Sequence, residues 1–257
     1  MSIGFDTAIK HLARFADFIL PPRCMSCGGK TISHAHLCGT CWSGLEFITN
    51  PHCHCCGYPF EFESPTDSLC GVCLKETPIY DWLRSPLVYG DVSKSLILKY
   101  KHGRMSEMAP VFTKLIGRVL ANLPDDTVSD VPELECKPIF IPVPLHWTRL
   151  FQRRFNQSAL LAQQLAENFN GEYNPRILKR HKATKSQGGL GRRERARNVV
   201  GAFSIDKNIG NQLKNQKIIL VDDVYTTGAT VSACAKILKK HGAKSVGVVA
   251  LVRVIKR

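Results

Sequence analysis

The stretch that most constrains the fold runs from Lys217 to Thr230: Lys-Ile-Ile-Leu-Val-Asp-Asp-Val-Tyr-Thr-Thr-Gly-Ala-Thr. It opens with Ile218, Ile219, Leu220 and Val221, apolar on both alternating faces, which suits a strand buried in a parallel sheet. Asp222 and Asp223 stand at its C-terminal end, ahead of a short loop of hydroxyls and glycine. A helix is expected over 229–241, with Val231, Ala235 and Leu238 at helical spacing and Gly242 stopping it. Strand, small-residue loop and helix make a phosphate site, because a helix start offers free backbone N–H groups and the positive end of a dipole. Gly228 lets the backbone approach an anion, and Thr226, Thr227 and Thr230 add hydroxyl donors. The two acids are wrong for a phosphate. They are acceptors, suited to sugar hydroxyls or to a magnesium ion beside the phosphate. The loop therefore reads as a site for a phosphorylated sugar. It is not a Walker loop, since no Gly-Lys-Thr follows the glycine. The plainer alternative, a buried strand whose acids merely cap a helix, would leave the coincidence of apolar run, acid pair and Thr-Thr-Gly unexplained.

The chain has 257 residues and eleven cysteines, nine of them between Cys24 and Cys73. No apolar stretch approaches the roughly 20 residues that span a bilayer. Asp6, His11, Arg14 and Asp17 interrupt the apolar positions at the N-terminus, unlike a signal peptide. A cytoplasmic chain is expected, and there clustered cysteines argue for metal, not disulfides. They fall as Cys24-x-x-Cys27, Cys38-x-x-Cys41, Cys53-x-x-Cys56 and Cys70-x-x-Cys73, with Gly28, Gly39, Gly57 and Gly71 where the knuckles turn. Four such knuckles supply the thiolates of two tetrahedral zinc sites. Sequential pairing gives Cys24, Cys27, Cys38 and Cys41 for one and Cys53, Cys56, Cys70 and Cys73 for the other. An interleaved pairing stays open, as does substitution by Cys55, His52 or His54 in one site. Zinc closed by four thiolates leaves no position for a substrate, so both ions are expected to be structural.

Net charge is +14, from 35 basic and 21 acidic residues, which suggests a polyanionic partner. From Arg176 to Arg197 nine Lys and Arg stand against one acid, Glu194. Residues 182–198, rich in Gly, Gln and Arg, read as a long basic loop of the kind that serves as a lid. It carries Lys182, Lys185, Arg192, Arg193 and Arg197, candidates for closing over a phosphorylated ligand or for contacting DNA.

The chain divides into an N-terminal helix and double ribbon over 1–80 and an α/β domain over 81–257, with 80–84 as linker. An amphipathic helix is expected over 5–20, ended by Pro21 and Pro22. Strands are expected over 85–89, 139–144, 199–205 and 245–254. Helices are expected over 93–101, over 106–123 with Ser106 as cap, and over 157–169 with Asn156 as cap. Residues 124–137 and 147–155 read as loops, the second basic. Strands alternating with helices give an α/β fold with a parallel sheet.

Val221 to Thr230 resembles the phosphoribosyl-pyrophosphate (PRPP) loop of type I phosphoribosyltransferases. The resemblance implies that Asp222 and Asp223 hold the ribose 2′- and 3′-hydroxyls, and that Thr226, Thr227, Gly228, Ala229 and Thr230 wrap the 5′-phosphate, with Mg²⁺ accompanying PRPP. Pro142-Val143-Pro144-Leu145, Arg149, Arg153-Arg154-Phe155-Asn156-Gln157, Gln187-x-x-Leu190 and Arg192-Arg193-Glu194-Arg195-x-x-Asn198 extend it. As an ordered set they resemble the ComF/GntX family, a zinc ribbon followed by a phosphoribosyltransferase domain. Members often show Arg-Gly-Phe-Asn-Gln, whereas here Arg154 stands at the glycine. Arg149 and Arg153, following a sheet strand, are expected over the pyrophosphate. The resemblance implies DNA uptake in natural transformation, with single-stranded DNA and cytoplasmic DNA-uptake proteins as partners. Catalysis needs an acceptor nucleophile and a group that handles its proton, and the sequence identifies neither. Two functions remain: a DNA-handling protein that keeps a PRPP pocket, or an active phosphoribosyltransferase of base salvage using PRPP and Mg²⁺.

Overall fold

The computed structural model describes residues 21–101, 106–123, 137–183, 192–206 and 210–255. The helix expected over 5–20 and nearly all of the loop expected over 124–137 lie outside them. Two one-turn helices, Gly39–Ser43 (α1) and Gly71–Lys75 (α2), each start at the second knuckle of a cysteine pair. Strands Trp82–Arg84 (β1) and Leu87–Val88 (β2) follow, then helices Asp91–Lys101 (α3) and Ala109–Ala121 (α4). Next come strand Ile139–Pro142 (β3), helices Trp147–Arg153 (α5) and Gln157–Asn168 (α6), and short strands Glu172–Tyr173 (β4) and Leu178–Arg180 (β5). The chain continues through helix Arg192–Val199 (α7), strand Phe203–Ile205 (β6), strand Lys217–Tyr225 (β7), helix Ala229–Lys240 (α8) and strand Ser245–Arg253 (β8).

The main sheet is parallel, ordered β1-β8-β7-β3-β4, with β2 also against β8. β5 and β6 form a separate antiparallel pair. β7 sits between β3 and β8 and is covered on both faces, which is why its sequence is apolar without alternation. Ile218 and Leu220 join Val231, Ala235 and Leu238 of α8 in one core. Ile219 and Val221 join Phe112 and Ile116 of α4 and Leu161 and Leu165 of α6 in the other.

Several expected boundaries move. The acid pair belongs to the strand: pairing with β8 continues past Asp222, opposite Ala250, as far as Tyr225 opposite Arg253. Residues 80–84 are no linker, because β1 pairs with Gly247–Val249 and Tyr80, Trp82 and Leu83 are buried. The expected basic loop 147–155 contains α5, whose N-cap is His146, its side chain accepting from the Thr148 N–H. The expected loop 182–198 ends in α7; its Arg, Glu and Ala are good helix formers even without an apolar stripe. Ser106 opens a 3₁₀ turn, and α4 starts after Met108 with no side-chain cap. The Asn156 cap does form: its Oδ1 accepts from Ser158 N at 3.1 Å while its Nδ2 donates to the Val143 carbonyl at 3.1 Å, tying α6 to the end of β3.

The cysteine-rich segment lies along the outer edge of β1 and β2. Leu83 N donates to Cys55 O at 2.7 Å, Val88 N to Glu46 O at 2.9 Å and Ile48 N to Pro86 O at 2.9 Å. Unpaired strand edges invite intermolecular pairing, and here the chain's own backbone occupies the edge.

Arg154 closes α5 in the left-handed region, at φ +67° and ψ −21°. That conformation costs a side-chain-bearing residue roughly 1–2 kcal/mol, a cost glycine escapes. Arg154→Gly should therefore raise stability by about 1 kcal/mol, read as a higher urea midpoint at unchanged slope. A lowered midpoint would contradict this.

Candidate functional site

A cavity of about 600 Å³ opens at the C-terminal ends of β3, β7 and β8, where ligands sit in open α/β sheets. Asp222 and Asp223 project from β7, and Thr226, Gly228, Ala229 and Thr230 from the loop into α8. Gly228 is the N-cap of α8 at φ +78°, a left-handed turn that brings the free N–H groups of α8 to the cavity. Opposite stand Arg149 and Arg153 of α5 and Arg180 of β5. A less polar wall is made by Tyr89, Ile97, Leu98, Leu145 and Val254.

The two carboxylates are held differently. Asp223 is buried and pairs with Lys101 Nζ at 3.0 Å. Asp222 Oδ1 accepts from its neighbour's backbone N–H at 2.8 Å and more weakly from Ser158 Oγ at 3.4 Å. Burial first, then the charge of Asp223, pushes the Asp222 carboxyl up to about 7, against the opposing pull of Asp223 N–H, Lys101 and Ser158. The arginines are pressed the other way. Burial and then Arg153 lower Arg149; burial and then Arg149 lower Arg180. Cations and acids are therefore crowded into one cavity, and a ligand carrying both anionic and hydroxyl groups would relieve both.

The structure brings Asp222, Asp223, Thr226, Gly228, Ala229, Thr230, Arg149 and Arg153 to this cavity. Thr227 turns instead toward a groove between α8 and residues 199–203, its Oγ1 buried and without a hydrogen-bond partner among the described residues. Of the lid residues, Lys182 and Arg197 are exposed, Lys185 lies outside the described residues, and Arg192 and Arg193 are described as backbone of α7 only. Sequence reasoning missed Lys101, Ser158 and Arg180 as cavity residues. Lys101 ends α3 and Ser158 sits in the first turn of α6, and only the packing of those helices across the sheet brings them near β7. Arg180 had a usable signal, a cation closely following the apolar pair Ile177-Leu178.

The cysteines gather in two groups, Cys24, Cys27, Cys38, Cys41 and Cys53, Cys56, Cys70, Cys73, each with all Sγ atoms within 4.8 Å of one another. Tetrahedral zinc with arms of ~2.3 Å needs sulfurs about 3.8 Å apart. The Cys27–Cys38 and Cys56–Cys70 separations of 3.8 and 3.6 Å fit. Backbone N–H groups point at the sulfurs, as thiolates require: Cys38 N to Cys24 Sγ and Cys70 N to Cys53 Sγ, both at 3.3 Å. Cys55, His52 and His54 belong to neither group.

Residues 15–79 match the double zinc ribbon family and residues 156–257 the phosphoribosyl transferase domain family. Competence protein F of Haemophilus influenzae is 32% identical over 90% of this chain and 96% of its own length. The chain belongs to the ComF family. Other ComF relatives include DNA utilization protein YhgH of Escherichia coli K12, 30% identical over 87% of this chain and 93% of its own. Competence protein ComFC of Bacillus subtilis is 29% identical over 84% of both. The sheet order and the family matches make this a type I phosphoribosyltransferase fold behind a double zinc ribbon. A Trypanosoma cruzi hypoxanthine phosphoribosyltransferase overlays 57% of this chain and 65% of its own at TM-score 0.36 and 16% identity, too loose to carry an argument.

The raised Asp222 carboxyl has a signed consequence. The folded chain keeps its proton up to about pH 7 while the unfolded chain releases it near 4, so stability falls as pH rises through that window. Asp222→Asn should therefore unfold at higher temperature than the parent at pH 8, with the gain vanishing toward pH 4. Each tenfold difference in proton affinity between the folded and unfolded chains is worth about 1.4 kcal/mol. An equal gain at both pH values would show that ionisation is not its source. Elemental analysis of fresh protein should give two zinc ions per chain, and a count of zero or one would contradict two four-thiolate sites.

Proposed function

We propose that this chain binds PRPP together with Mg²⁺ and acts in natural competence, handling incoming single-stranded DNA in the cytoplasm. One observation carries the ligand: acid pair, hydroxyl-glycine loop and arginines converge on a single cavity. Asp222 and Asp223 would accept from the ribose hydroxyls. The loop amides and hydroxyls of Thr226, Gly228 and Thr230 would donate to the 5′-phosphate, at the positive end of α8. Arg149, Arg153 and Arg180 would face the pyrophosphate, with the magnesium ion supplying further positive charge there. Lys101, now paired with Asp223, would be displaced or share that carboxylate. The zinc ions, closed by four thiolates each, would serve the fold and not the chemistry.

The DNA part rests on the names of the relatives and on charge. One relative is called a competence protein and another a DNA utilization protein, and this chain carries +14. α5 adds a surface suited to single strands. Trp147 and Phe151, four residues apart on one face, are 70% and 86% exposed, and Arg154 at the end of the helix is exposed as well. Stacking on such rings tolerates any base, and Arg154 would meet a phosphate.

An active phosphoribosyltransferase of base salvage is the second reading. The less polar wall of Tyr89, Ile97, Leu98 and Val254 favours it, since that wall could receive a planar base beside the ribose.

Isothermal titration with PRPP and Mg²⁺ should show binding, weakened by about 1.5–3 kcal/mol for each of Asp222→Asn and Asp223→Asn. A flat titration of the parent would sink the ligand. Fluorescence anisotropy on a labelled single strand should show binding with a log–log salt slope near −0.7 per phosphate contacted. Trp147→Ala with Phe151→Ala should weaken it by about 1–3 kcal/mol per lost stack. If the parent ignores the oligonucleotide but releases pyrophosphate with a base acceptor, the salvage reading moves ahead.

A further inference from the structure

Two buried arginines stand against the second cysteine group. Arg84, on β1, is 7% exposed, and Arg253, on β8, is 6% exposed. Among the described residues neither lies within ion-pair distance of a carboxylate. Arg84 donates to carbonyls, His54 O at 2.9 Å and Leu83 O at 2.8 Å. Arg253 donates through Nη1 to the Cys56 carbonyl and through Nη2 to Cys56 Sγ at 3.4 Å. Burying two such cations costs several kcal/mol each unless charge nearby offsets it. A divalent zinc ion with four thiolates carries a net charge of about −2, which matches them. The first group is different. Its neighbour Arg23 is exposed and donates to the Gly28 carbonyl at 3.1 Å, so solvent screens it.

The same arginine reaches the ribose-phosphate loop. The Arg253 guanidinium lies 4.8 Å above the centre of the Tyr225 ring, and the Tyr225 hydroxyl bonds that of Tyr80 at 2.9 Å. Tyr225 also supports the loop. A Cβ at Gly228 would come within 2.7 Å of its hydroxyl oxygen, so the ring lies directly beneath the N-cap of α8. Metal ligand Cys56, Arg253, Tyr225 and Gly228 thus form one unbroken line of contacts. On the ribbon side the fit is equally close: Gly57, at φ +65°, approaches β1 so tightly that a Cβ would lie 2.6 Å from Leu83 O.

We propose that Arg84 and Arg253 are the counter-charges of the second zinc centre, and that through Arg253 and Tyr225 this centre holds the ribose-phosphate loop in its binding shape. The inference rests on reading the cavity as a PRPP site. Arg253 is a positioning residue, acting on the ligand through Tyr225 and the loop, whereas Tyr225 both supports the loop and lines the cavity.

The test uses the full chain with zinc replaced by cobalt(II), whose thiolate charge-transfer absorption reports electron density on sulfur. Arg253→Met removes an N–H donor and a cation from Cys56. It should move part of that band to longer wavelength and weaken PRPP binding about tenfold. Tyr225→Phe should leave the band in place yet weaken PRPP about threefold. Arg23→Met, beside the first centre, should leave PRPP affinity within twofold. If Arg253→Met does not fold, Arg253→Lys keeps the charge without the fork and should show the same changes at smaller size. An unmoved band together with parental PRPP affinity in the Arg253 variants overturns this inference and leaves the PRPP reading intact. A parent that binds no PRPP overturns the PRPP reading and the coupling with it, while the band still tests the counter-charge.

Discussion

Placement of the cavity depends on one constraint, the pairing of β7 on both edges and its covering on both faces. A strand so enclosed cannot slip by one residue, because the shift would exchange Ile218 and Leu220 for Ile219 and Val221 between two already filled cores. Pairing with β8 persists through Tyr225, so the register set in the apolar half fixes the acids as well. Asp222 and Asp223 are therefore aimed by strand geometry, not by a mobile loop. The α8 N-terminus is aimed the same way, since Val231, Ala235 and Leu238 seat it on the sheet.

That rigidity lets the fold hold an arrangement that opposes itself. Adjacent carboxylates repel, and so do Arg149, Arg153 and Arg180 around the same cavity. Each group is partly withdrawn from the water that would screen it. Local rules of stability are broken where a ligand of mixed charge would be received, and the enclosed strand and its two cores supply the surplus that permits it.

Much of this was legible in the residues. The central strand, the acid pair, the following helix and the eight knuckle cysteines follow from local patterns whose meaning does not depend on distant partners. Asn156 as a cap was legible for the same reason. What escaped depended on tertiary neighbours. Residues 80–84 look like a linker because β1 is only three residues long, and its strand character comes from β8, far later in the chain. α5 hid because its helical face is exposed and carries no apolar stripe facing a core. The same holds for α7, whose composition favours a helix that periodicity does not announce. Lys101 and Ser158 reach the cavity only through helix packing, and Thr227 faces the groove beside α8 instead, which no spacing rule records.

The backbone bonds from the cysteine-rich segment to β1 and β2 bear on the order in which the chain is made. The strand that closes the inner side of β1 is β8, the last of the sheet, so on the ribosome β1 must wait for nearly the whole domain to be synthesised. Throughout that wait its outer partner is already present, because residues 46–55 precede it and can fold around metal as soon as the knuckles emerge. One edge of β1 and β2 is thus met by residues that precede them in the chain, and the other only by the sheet's last strand.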